Sequence, residues 1–210
     1  MPYGYIGQNL PNQTKANSGV FSISDVADLE KQGKFGGSLE LIQEVNASST
    51  STIEFTSINE NIYDVHFMTL ALDCTGGAGA TYYTLQFYED GVGYETASVY
   101  QFALQDGSVS GTFAETKSTG VQNLSVAYFS NLTNPTINAY HYFYNLGNSS
   151  KYSFQTMHSF TDDSSADGFR FGGGVLPQAS KVTGIRLLAN GTTTSTGTVK
   201  LYGVKQLWVL

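Results

Sequence analysis

From residue 37 onward apolar side chains recur at every second position, the period of a strand that buries one face. The clearest case is INAYHYFYNL, residues 137–146. Ile137, Ala139, His141 and Phe143 point one way and suit a core. Tyr140, Tyr142 and Tyr144 point the other way, and a row of tyrosines suits a half-wet surface such as a subunit or ligand contact. The same alternation predicts strands over residues 38–45, 51–57 with Ile53 and Phe55 inward, 61–73, and 81–89 with Tyr83, Leu85 and Phe87 on one face. Further strands are expected over 94–102, 121–130, 151–160 with Tyr152, Phe154 and Phe160 on one side, 169–171, 182–189 and 198–205.

Turn residues punctuate these runs. Asp90-Gly91 is a tight-turn signal that makes residues 81–89 and 94–102 a hairpin. Gly76, Gly77 and Gly79 break the pattern, as does the run Gly172-Gly173-Gly174. Asp106-Gly107 opens a polar connection to Gly120, with Phe113 as its only large apolar anchor. About nine to eleven short strands at this spacing imply two antiparallel sheets packed face to face, an all-β sandwich with jelly-roll topology preferred over an immunoglobulin-like one.

The first 36 residues lack the two-residue period. Residues 1–19 are polar, with Pro2 and Pro11 and several Asn, and read as an extended arm that lies along its own domain or is held by a partner. Residues 24–36 read as one short helix: Ser24 caps it, Asp25 and Asp28 complement the positive end of its dipole, and Lys31, Lys34 and Gly33 mark its end. Val26 and Leu29 form a narrow apolar stripe, and with Val20 and Phe21 they are the candidate docking residues. The expected organisation is therefore an arm and docking helix over residues 1–36 and a sandwich over 37–210.

Composition narrows the function. Only 13% of the 210 residues are charged, about half the usual share, as in proteins that hide much of their surface in assemblies. A net charge of −7 argues against nucleic-acid binding, which needs a basic face. No apolar run is long enough to span a bilayer, and residues 1–10 do not read as a secretory signal, so membrane insertion and secretion are not expected. The single cysteine, Cys74, permits no intrachain disulfide and reads as a small buried hydrophobe. Without secretion, the Asn-x-Ser/Thr triplets at Asn12, Asn46, Asn123, Asn131, Asn148 and Asn190 are expected to stay unmodified.

Little catalytic chemistry is legible. His66, His141 and His158 share no metal-ligand spacing. Asp64 and His66 fall on one strand face as a potential carboxylate–imidazole pair, but no serine stands in a nucleophile turn to use them. Residues 163–168, DSSADG, match the start of a calcium loop, yet Gly174 stands where the closing glutamate belongs. Asp64, Glu89 and Asp162 have no spacing that singles out a glycosidase pair. Neither an enzyme nor a cofactor is expected. Exposed tyrosines beside short amide side chains leave carbohydrate contact open as an alternative to packing.

Two stretches carry a resemblance. Ser18-Gly19-Val20-Phe21-Ser22 continuing to Leu29 and Gly36-Gly37, and Gly197-Thr198-Val199-Lys200-Leu201-Tyr202-Gly203-Val204, resemble segments of structural proteins of tailed marine bacteriophages. The resemblance implies a jelly-roll domain displayed on the virion and anchored by its N-terminal arm. A capsid decoration protein is favoured, with a tail fibre or receptor-binding protein or a free carbohydrate-binding module as alternatives. Phage fibre-like proteins often show Trp-Pro near the helix end, where this chain has Phe35-Gly36. The expected partners are other capsid or tail proteins, further copies of the chain with a trimer favoured, and a host surface glycan. Assembly would take place in the host cytoplasm.

Overall fold

The computed structural model describes residues 23–24, 27–28, 38–75, 81–129, 135–162, 168–189 and 193–205. The chain divides into two units, residues 1–38 and 39–210. In the first, Ile23, Ser24, Ala27 and Asp28 are helical. The expected arm, the docking residues Val20, Phe21, Val26 and Leu29, and the candidate calcium loop at residues 163–167 lie outside the described residues.

The second unit is all β. Its strands are β1 (Leu39–Thr50), β2 (Thr52–Phe55), β3 (Val65–Thr75), β4 (Thr81–Glu89), β5 (Gly93–Tyr94), β6 (Tyr100–Ser108) and β7 (Phe113–Val121), followed by β8 (Leu124–Phe129), β9 (Thr136–Tyr144), β10 (Ser153–Asp162), β11 (Gly168–Leu176), β12 (Val182–Ala189) and β13 (Thr194–Val204). They form an eight-stranded sheet in the order β1-β13-β3-β9-β10-β11-β6-β7 and a five-stranded sheet in the order β2-β12-β4-β5, with β8 also paired to β4. Every pairing is antiparallel.

Two insertions explain the unequal sheets. Without β5, β6, β7, β10 and β11, the remaining strands run β1-β13-β3-β9 in one sheet and β2-β12-β4-β8 in the other. That connectivity is a jelly roll, two four-stranded sheets built from two Greek keys. The hairpins β6-β7 and β10-β11 then add beside β9 and double the width of one sheet.

Alternation decides what lies between the sheets. Met68, Leu70 and Leu72 of β3, Ile137 and Phe143 of β9, and Val199 and Leu201 of β13 face Ile53, Phe55, Tyr83, Leu85, Phe87, Ile185 and Leu187 across a dry core. Burying each such side chain contributes roughly 1.5–3 kcal/mol. Cys74 belongs to the same core, where burial pushes its thiol up to about 11, so it behaves as the expected small hydrophobe.

Four expectations are corrected. Asp90 does begin a turn, with Gly91 at φ 71, but the hairpin is only β4 with the two residues of β5 before the chain crosses to the other sheet. The polar connection of residues 106–120 is instead the end of β6 and nearly all of β7, and Phe113 is 67% exposed rather than anchored. The glycine run lies inside β11, whose backbone is paired by β10 on one side and β6 on the other; a central ladder holds without side chains. The tyrosine strand ends at Tyr144, because Asn145 turns the chain with φ 64, a conformation that Asn tolerates better than most residues.

Candidate functional site

The outer face of the eight-stranded sheet carries a continuous row of aromatic rings. Tyr202 of β13 lies 6.0 Å from Phe67 of β3, and Phe67 lies 4.8 Å from Tyr142 of β9. Tyr140 contacts His158 of β10 edge to face at 5.5 Å, and its hydroxyl is 3.3 Å from His158 Nδ1. His158 is 6.3 Å from Phe171 of β11, Phe171 stacks on Phe169 at 6.1 Å, and Phe169 meets Phe113 of β7 at 6.1 Å. From β13 to β7 the row crosses six strand spacings, about 29 Å.

Pairing register builds this row. Tyr142 is opposite Phe67 on one side and Thr156 on the other, and His158 is opposite Tyr140 and Phe171. Gly107 lies beneath the Phe169 ring, where a Cβ would collide with it. Tyr140 is 44% and Phe171 47% exposed, so the rings rest on one another and still face outward. Along the outward positions of β3, β9, β10 and β11 the only Asp, Glu, Lys or Arg are Asp73 and Asp162, both at one end. Beside the row, Gly173 and Val175 floor a shallow trough walled by Phe154 and Lys117, of about 550 Å³.

The interior polar groups are structural. His141 is wholly buried and stacks on Phe143 at 5.9 Å. Gln155 Nε2 reaches the Ser125 carbonyl at 3.1 Å and His141 Nδ1 at 2.8 Å. A carbonyl can only accept, so this end of Gln155 is the donor and Nδ1 is unprotonated. Burial holds the His141 ring down at about 3, so it is neutral. His66 Nε2 donates to the Ile58 carbonyl at 2.7 Å, and Asp64 lies outside β3 and exposed. In place of the carboxylate–imidazole pair that their spacing would permit, the ring is held by backbone.

A second buried group joins the two sheets. Arg170 of β11 forms a close ion pair with Asp106 of β6, donates to Ser125 Oγ of β8 at 2.7 Å and lies 5.3 Å from the centre of the Tyr128 ring. Thr116 of β7 donates to Asp106 at 2.6 Å. This cluster fastens the inserted hairpin to the smaller sheet at β8. Among the described residues no three of His, Cys, Asp or Glu gather closely enough to hold a metal ion.

No protein-family model matches the chain, and no curated protein matches it. Of the residues anticipated from sequence, Tyr140, Tyr142 and Tyr144 do share the outer face, with Tyr142 and Tyr144 stacked at 6.5 Å. Phe67, His158, Phe169, Phe171, Phe113 and Tyr202 complete the row, a role that the sequence does not assign to them. Each sits on the outward phase of its own strand, a local signal that was present, but nothing local reveals that the strands are neighbours.

Proposed function

We propose that this protein is a non-catalytic component of a larger particle, and that the aromatic outer face of the eight-stranded sheet is its contact with other copies. The observation that carries this is the row of aromatic rings from Tyr202 to Phe113. Its outward neighbours are free of Asp, Glu, Lys and Arg across the middle strands and carry charge only toward the margins, at Asp73 and Asp162, Lys200 of β13, and Glu115 and Lys117 of β7. Three strand spacings from β3 to β11 by the six-residue span from Phe154 to Phe160 give a centre without Asp, Glu, Lys or Arg of about 14 by 20 Å, or about 280 Å². An apolar, aromatic centre with charge confined to its margins is the anatomy of a protein–protein contact. The low charge content of the chain supports the same reading.

With the resemblance of residues 18–37 and 197–204 to phage structural proteins, the particle is a virion, and the protein a decoration protein of its head. The first test is mass in solution. The full chain is expected to form a discrete oligomer, and Phe171→Glu with Phe160→Glu to convert it to monomer without changing its circular dichroism. A wild-type monomer at tens of micromolar would refute the assembly face. Particle imaging then tests location: hundreds of copies support head decoration, and a handful at one vertex would assign the chain to the tail.

A further inference from the structure

We propose that the opposite side of the molecule, the outer face of the five-stranded sheet, holds a binding pocket for an uncharged pyranose sugar, formed by Glu54, Thr56, Tyr88, Tyr94 and Thr183 over Gly184. The pocket is about 330 Å³, at the small end of ligand sites and suited to a single ring rather than a drug-sized molecule.

Three features make it a prepared site. Its floor requires glycine at position 184: a Cβ there would come within 2.9 Å of the Phe55 carbonyl and 3.1 Å of Tyr88 Cβ, so only glycine lets β2 and β4 close in on β12 beneath the pocket. The register of β12 against β4 slips between Val182 and Gly184, a bulge that puts Thr183, out of step with the ladder, into the lining. Its aromatic wall is rigid. Tyr88 and Tyr94 meet edge to face at 5.0 Å, and the Arg186 guanidinium lies 3.9 Å over the Tyr94 ring while donating to Gln86 Oε1 at 2.8 and 2.6 Å. The Glu54 carboxylate lies beside the Tyr94 hydroxyl and keeps acceptor sites for a ligand.

The chemistry selects the ligand class. An aromatic face takes the C–H face of a sugar ring, a carboxylate accepts sugar hydroxyls in charge-assisted bonds, and two threonine hydroxyls can donate or accept. Glu54 is the charged group of the lining, and the neighbouring Arg186 is engaged by the Tyr94 ring and Gln86 Oε1, so a sugar carboxylate meets the repulsion of Glu54. One face would thus serve assembly and the other would meet a glycan, and neither site depends on the other.

The test is saturation-transfer-difference NMR on the full chain with methyl glycosides of glucose, galactose, mannose and N-acetylglucosamine, and with methyl glucuronide. Ring-proton signals are expected for at least one neutral glycoside and not for the glucuronide. Glu54→Ala, at an exposed position, and Tyr88→Ala should each weaken binding about tenfold with melting curves retained, and Phe171→Glu should leave it unchanged. No transfer to any neutral glycoside, equal transfer to the glucuronide, binding unaffected by both pocket variants, or binding abolished by Phe171→Glu would each overturn the assignment, whatever the solution mass shows.

Discussion

Mild acid should weaken this fold well before its carboxylates protonate, and the cause is His141. Its ring is fully buried, accepts a hydrogen bond at Nδ1 from Gln155, and has no bonding partner for Nε2. A second proton would put an N–H against the N–H of Gln155 in a dry core. Burial therefore lowers this ring from 6.5 to about 3. In the unfolded chain it binds a proton as pH falls through 6.5, while the folded protein refuses it until about 3. The unfolded state thus holds more protons in that window, and stability present above 6.5 drains away as pH falls. At 1.36 kcal/mol per pH unit, the loss from this one residue reaches about 2 kcal/mol at pH 5 and about 3 kcal/mol at pH 4. His66, lowered chiefly by its own burial, acts in the same direction.

Carboxylates enter lower. Glu40, held down first by the Tyr63 hydroxyl and then by Lys205, and Glu95, held down first by the Ala97 amide, lose their contributions only below 4.5. Urea unfolding followed by circular dichroism at pH 7.5 and pH 5 therefore isolates the histidines. The wild type should lose about 2 kcal/mol or more between them, and His141→Leu should lose distinctly less, though it starts lower. Equal losses in the two proteins would refute the reasoning. Should the variant not fold, labelled histidine in the wild type decides: a His141 ring whose shifts titrate between pH 8 and 5 contradicts the buried neutral state.

Two other predictions concern what holds the sheets. Arg170→Ala strands Asp106 and cuts the link to β8, so it should cost about 3–5 kcal/mol, whereas Lys200→Ala, which removes the surface pair with Glu44, should cost less than about 1 kcal/mol; denaturant midpoints of the two variants give the comparison. Gly197 adopts φ 140 within β13, and a Cβ there would strike the Ala71 carbonyl of β3, so Gly197→Ala should lower stability by about 1–3 kcal/mol in thermal melts.

Much of the architecture was legible along the chain. The period of two placed β4 and β12 at their observed bounds, turned Ile53 and Phe55 inward, put Tyr83, Leu85 and Phe87 on one shared face that proves to be the buried one, and sent Tyr140, Tyr142 and Tyr144 to the opposite face from His141 and Phe143. Those are consequences of pleat geometry, which any strand obeys whatever its neighbours. Partnership is different in kind. That Phe67, Tyr142, His158 and Phe171 stand side by side follows from β3, β9, β10 and β11 being adjacent, and β3 lies more than sixty residues from β9 in the chain. Residues 106–120 looked like a loop because their polar side chains belong to an edge strand with little to bury, and the glycine run looked like a break because its support comes from the backbones on either side. The pocket over Gly184 was invisible for the same reason: Glu54, Tyr88, Tyr94 and Thr183 come from four strands. Side-chain phase is written locally, but which strands meet is decided by the burial and hydrogen bonding of the whole sandwich at once, and both proposed surfaces exist only there.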